Sequence, residues 1–144
     1  MKKVIVFGSL NMDLTIECDQ LPQAGQTVEG HGFFTNPGGK GGNQAAAAAK
    51  MGAPTYMIAR VGEDLFGEEI LRALTGAGVD CRYVDKSARG GTGVAVITRS
   101  GGDNRIILSR GANHEITGAE VEVALESLGG PLDVFVTQYE CSAL

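Results

Sequence analysis

The 144-residue sequence predicts an α/β fold with a largely parallel sheet flanked by helices and a second, smaller sheet of hairpin pieces. Three observations carry this. The chain opens on a continuous apolar run, "KKVIVFGSL", the pattern of a strand buried on both faces. Segments with helical spacing and cap signals alternate with further apolar runs. Two β-rich runs, "TGVAVITR" and "NRIILSR", flank the turn "SGGD" as a hairpin would.

Taken in order, "LTIECD" and "QTVEGHGFF" alternate as half-buried strands do. A helix is predicted from Gly42 or Asn43 through Lys50, stopped by Gly52 with Pro54 beyond it. "TYMIARVG" is the next buried strand. Asp64 is the expected N-cap of a helix carrying Phe66, Ile70, Leu71 and Leu74, with Gly76 and Gly78 to end it. "RYVD" reads as a short strand. Thr117 and Glu120 form a capping box for a helix presenting Val121, Ala124, Leu125 and Leu128, ended by Gly129, Gly130 and Pro131. "DVFVTQYE" is the last strand, and the chain stops four residues later at Leu144. A parallel sheet of this kind is expected to continue, so its closing half is read as absent.

Composition excludes some classes. A net charge of −5 and no Lys/Arg run argue against a nucleic-acid partner, and Arg105 and Arg110 read as solvated. Three widely spaced cysteines, Cys18, Cys81 and Cys141, read as reduced thiols of a cytoplasmic protein. No segment has transmembrane length, and the first apolar run is too short for a signal peptide. His31 and His114 stand without ligand-spaced partners, so no metal site is expected. Glycine is the unusual residue: 22 of them, about twice the usual share of roughly 7%.

Four of those glycines surround Lys40 in "NPGGKGGNQAAAAAK". A phosphate-binding P-loop needs Ser or Thr after its lysine, and Gly41 stands there; a dinucleotide fingerprint would follow the first strand, and "GSLNMD" is not one. Two readings stay open: the glycines permit a tight strand-to-helix turn, or they line a pocket for hydroxyl groups with Asn43 as donor and acceptor. Asn11 and Asp13, two apart in an extended segment, point to one side just beyond the carboxyl end of the first strand, where open α/β sheets place ligands. An amide beside a carboxylate can hold vicinal hydroxyls; either could instead make an Asx-type turn. Glu140 ends another apolar run and reads as a ligand contact or as a surface glutamate.

In order along the chain stand Asn-x-Asp at 11–13, "GGKGGNQAAAAA", "GEDLFG" at 62–67, "TGVAVI", "RGAN" at 110–113 and Gln-x-Glu at 138–140. Together they resemble the N-terminal half of the ribokinase branch of the PfkB family of carbohydrate kinases, over essentially the whole chain. Asn-x-Asp, Lys40 and Gln44 favour that branch; Gly42, where alanine is common, departs from it. The resemblance implies a ribokinase-like domain over residues 1–144 with lid strands near 15–20, 28–35, 92–98 and 104–109. It implies that Asn11 and Asp13 hold ribose or a related pentose, that Gly39, Lys40, Asn43 and Glu140 line the same pocket, and that Ala95 and Ile97 give the lid an apolar inner face. It also implies a homo-oligomer, through the lid or an exposed sheet edge. The full-length reaction would be ATP-dependent phosphorylation of the ribose 5-hydroxyl, using Mg-ATP and a monovalent cation, potassium.

The family's Asp-Thr-x-Gly-Ala-Gly-Asp segment, which supplies its catalytic base and γ-phosphate anion hole, is not in the sequence. "GAGVD" at 76–80 and "GGD" at 101–103 read as a helix end and a hairpin tip, so neither Asp80 nor Asp103 is expected to be a catalytic base. The expectation is therefore a sugar-binding half without catalytic residues or cofactors of its own. The alternative is a non-catalytic sugar-binding or assembly module.

Overall fold

The computed structural model describes residues 2–128 and 134–141. Strands β1 (Val4–Phe7), β4 (Thr55–Gly62), β5 (Val79–Ser87) and β8 (Val134–Thr137) form a parallel sheet in the order β5-β4-β1-β8. Strands β2 (Asn11–Glu17), β3 (His31–Gly38), β6 (Gly93–Ser100) and β7 (Asp103–Ser109) form a second sheet in the order β3-β2-β6-β7. The second sheet is mixed, because β2 and β6 run parallel while the outer pairs are antiparallel.

Alternation along β1 explains its apolar run. Val6 joins a core beneath helices α1 (Lys40–Lys50) and α2 (Leu65–Gly76), whereas Ile5 and Phe7 face helix α3 (Gly118–Leu128) on the opposite side. Phe66, Ile70, Leu71 and Leu74 pack into the first core, and Val121, Ala124, Leu125 and Leu128 into the second, as their spacing predicts.

Cap chemistry is where expected. Asp64 Oδ1 accepts the Gly67 N–H at 2.8 Å. Thr117 and Glu120 exchange hydrogen bonds across the first turn of α3. Gly52 and Gly78 take left-handed φ angles of 87° and 90° after α1 and α2, whereas Gly76 is the last helical residue of α2 and caps nothing. The turn expected at residues 129–131 lies outside the described residues.

Several boundaries differ from expectation. Helix α1 begins at Lys40, two or three residues early, since Gly39 ends the preceding strand with φ 90° and releases the chain directly into helix. The strand expected over "QTVEGHGFF" begins only at His31, and the strands of the second sheet lie at 11–17, 31–38, 93–100 and 103–109, so the first two sit three or four residues from where they were expected. "RYVD" is the middle of the nine-residue β5, whose register slips beside Tyr56 and Ile58. A bulge in a charged edge strand masks its periodicity.

Candidate functional site

The site forms where the carboxyl ends of β1 and β8 meet the amino terminus of α1 and the root of the second sheet. Glycine makes that meeting possible. A Cβ on Gly41 would lie 2.6 Å from the Gly8 carbonyl carbon, and one on Gly39 would lie 2.5 Å from Ser9 O. The first turn of α1 therefore rests on the backbone of residues 8–11, closer than any side chain allows. The Gly42 N–H donates to Ser9 O at 3.1 Å and the Asn43 N–H to Gly39 O at 2.9 Å. These two amides are spent on the turn, so the tight-turn reading of the loop holds whatever else the loop does.

That turn delivers Lys40 to Glu140. The Lys40 ammonium pairs with Glu140 Oε1, and Ser9 Oγ donates to Glu140 Oε2 at 2.8 Å. Burial alone would push the Glu140 carboxyl up; the hydrogen bonds from Lys40 and Ser9 outweigh it and hold the group below its ordinary range. Asp13 is half-buried, and burial, followed by the nearby Glu140 charge, pushes its carboxyl above the ordinary range. Gly38 stands across from Asn11 in the sheet, and a Cβ there would lie 2.4 Å from Asp13 Oδ2.

Asn11 is 5% exposed and lies on the same side of β2 as Asp13. Its Oδ1 accepts from Asn113 Nδ2 at 2.9 Å. Asp13 is in register with Asn36 on β3 and Ala95 on β6, and Thr15 with Ile97, so Ala95 and Ile97 share the face that carries Asp13. Ala95 is buried and Ile97 half-buried. The structure thus gathers Asn11, Asp13, Gly39, Lys40 and Glu140 into one place. Asn43 stands one helical turn along, exposed, and lines with Asn36, Gly38 and Lys50 a cleft of about 290 Å³ between β3, α1 and α2.

Three participants escaped the sequence reading. Ser9 orders Glu140, Asn113 orders Asn11, and Gln138 Nε2 donates to Gln44 Oε1 across the β8–α1 junction. Their contacts span 94 to 131 residues of chain, so no local pattern announces them. For Asn113 and Gln138 one signal each existed, their places in "RGAN" and in Gln-x-Glu at 138–140. Asp80 is held by Arg82 through contacts of 2.6 to 3.0 Å, and Asp103 Oδ1 accepts the Asn104 N–H at the hairpin.

A family model described as pfkB family carbohydrate kinase matches residues 1–137. The chain belongs to the pfkB family of carbohydrate kinases. It is 42% identical over 140 residues to a ribokinase of Bacillus subtilis, covering 97% of this chain and 47% of the relative. It is 35% identical over 126 residues to a deoxyribokinase of Salmonella typhi, covering 87% of this chain and 41% of that one. A structure of Arabidopsis thaliana ribokinase complexed with ribose and ATP superposes with a TM-score of 0.82 at 35% identity, over 97% of this chain and 46% of that chain. The fold is ribokinase-like, and this chain spans about half the length of the relatives it matches. Among the described residues, no helix is long and apolar enough to cross a membrane.

Proposed function

We propose that this chain is the sugar-binding half of a ribokinase-like carbohydrate kinase, whose full-length reaction is ATP-dependent phosphorylation of D-ribose at the 5-hydroxyl. The observation that carries the reading is the convergence of Asn11, Asp13, Lys40 and Glu140 at the carboxyl ends of β1 and β8, beneath a second sheet. Asn11 and Asp13 hold sugar hydroxyls as donor and acceptor. Gly39, Lys40 and Asn43 line the pocket, and Glu140, neutralised by Lys40, closes its far side. Ala95 and Ile97 supply the apolar inner face of the lid that covers the sugar.

The similarity to both a ribokinase and a deoxyribokinase supports a pentose ligand. Mg-ATP and potassium belong to the full-length reaction. In this reading the chain's own work is to bind and orient the sugar.

The lid also supports self-association. Phe33, Phe34, Ile106, Ile107 and Leu108 are exposed on the second sheet, a clustering that marks interaction surfaces. This leaves room for the non-catalytic module as a second reading.

ADP release by the purified chain, with Mg-ATP and potassium and with or without D-ribose, tests the division of labour. Folded protein that binds D-ribose without ribose-dependent turnover is the expected result. Ribose-dependent turnover would show that the chain or its oligomer carries a base and nucleotide site, and would overturn the half-site reading.

A further inference from the structure

We propose that Asn113 is a positioning residue for the sugar site: it fixes the Asn11 side-chain amide so that Asn11 meets the sugar as a hydrogen-bond donor. The inference rests on the assignment of Asn11 and Asp13 to the sugar, and names the group that gives that pair its polarity.

A main-chain N–H can only donate, and the Leu10 N–H points at Asn113 Oδ1 at 2.8 Å. This settles which end of the Asn113 amide is oxygen. Its Nδ2 then faces three acceptors: Leu10 O at 3.1 Å, Arg110 O at 3.0 Å and Asn11 Oδ1 at 2.9 Å.

The orientation passes to Asn11. Were the Asn11 amide reversed, two NH₂ groups would face each other, with both residues at least 95% buried. A buried donor without an acceptor is costly, so the network selects the oxygen-inward orientation. Gly93 lets the two amides meet, because a Cβ there would lie 2.2 Å from Asn11 Oδ1 and 2.4 Å from Asn113 Nδ2. Asn11 Nδ2 is left for the ligand, beside Asp13, whose ionised carboxylate only accepts. A donor next to an acceptor suits hydroxyls, which can accept from one and donate to the other.

Asn113 also ties the end of the β7 segment, through Arg110 O, to the start of β2, through Leu10. A purely structural role would explain that link but would not require a particular amide orientation at Asn11.

Side-chain amide hydrogen exchange by NMR on the 144-residue chain reads the orientation without ligand. Slow exchange of the Asn113 NH₂ and fast exchange of the Asn11 NH₂ is expected; the reverse order overturns the proposal. With D-ribose as the probe, Asn113→Asp places an acceptor where the donor stood and turns the Asn11 amide, so affinity should fall about tenfold or more. If that variant fails to fold, Asn11→Asp asks the same question. It keeps an acceptor for Asn113 but replaces the donor facing the sugar, and about tenfold weaker binding is again expected; unchanged affinity in a folded variant overturns the proposal. Asp13→Asn separates the two layers. If it weakens D-ribose binding while Asn113→Asp does not, only the positioning claim fails; if Asn11→Asp also leaves affinity unchanged, the donor role of Asn11 fails with it. If D-ribose binds neither the unmodified chain nor any variant, or if Asp13→Asn has no effect, the sugar-site assignment fails, and amide exchange still decides the orientation.

Discussion

The two sheets differ sharply. In the parallel sheet, Ile5, Val6, Met57, Ile58 and Val61 are at most 1% exposed, sealed between helices on both faces. In the second sheet every residue of β7 is exposed, and Ile107 reaches 75%. One sheet is held by burial. The other is buried mainly along β2 and the start of β6, through Met12, Thr15 and Ala95, and is tied at its roots by side chains that reach from the core to its strand ends.

Two anchors do this. Asn113 binds the start of β2. Asp64, already the cap of α2, accepts the Thr92 N–H at 2.8 Å and the Thr92 hydroxyl at 2.6 Å, just before β6 begins, and Thr92 Oγ1 in turn accepts the Gly62 N–H at 2.9 Å. The difference teaches that the site sits on the seam: a rigid floor carries Ser9 and Glu140, while Asn11 and Asp13 begin a sheet whose far strands lack a core of their own.

The largest effect should come from breaking the floor at that seam. Gly41→Ala drives a methyl group into the Gly8–Ser9 backbone, and about 3 kcal/mol or more of stability should be lost, read as a lower urea midpoint at unchanged slope. Next is the anchor of the second sheet. Asp64→Ala removes a helix cap and leaves the Gly67 and Thr92 amides and the Thr92 hydroxyl without their acceptor, and should cost about 2 kcal/mol by the same measurement.

A smaller effect belongs to α3 on the far face of the floor. Glu120 accepts from Thr117, and its partner Arg60 pairs also with Asp85. Those contacts, the Thr117 backbone first and Arg60 second, hold the Glu120 carboxyl down at about 2, against an ordinary 4.5. A depressed folded-state value stabilises above the unfolded one and is lost as pH falls. The melting temperature of Glu120→Gln should therefore lie below that of the unmodified chain at pH 6. The stability difference, about 1 kcal/mol at most with the Glu120 carboxylate 39% exposed, should close between about pH 4.5 and pH 2. Smallest in stability is Ile107→Ser on the open sheet, within about 0.5 kcal/mol. Its mark should be a lower mass in light scattering, and strictly monomeric unmodified protein would count against association through the lid.

The same contrast explains what the sequence disclosed. Elements of the floor were legible because burial on a fixed period writes itself into residue order: Phe66, Ile70, Leu71 and Leu74 for α2, Ile5 through Phe7 for β1. Caps were legible too, as at Asp64 and Thr117, since their chemistry is local. The second sheet was less so. Strand β3 carries Phe33 and Phe34 in an exposed stretch, so no buried face imposes a period, and its start was misplaced. The start of α1 was missed for another reason: residues 39–42 include three glycines, poor helix formers, and the helix is required there by packing against Gly8 and Ser9. At the site, Asn11, Asp13, Lys40 and Glu140 were nameable from motif and strand-end position, whereas Ser9 and Asn113 reach Glu140 and Asn11 across more than 100 residues of chain.

The central claim is that the seam binds a pentose through Asp13. Calorimetric titration of D-ribose into the 144-residue chain and its Asp13→Asn variant tests it most directly. Saturable binding that weakens at least about tenfold in the variant is predicted, since a charge-assisted acceptor is lost. Equal affinity in the two proteins, or no binding by folded unmodified chain, would contradict the account.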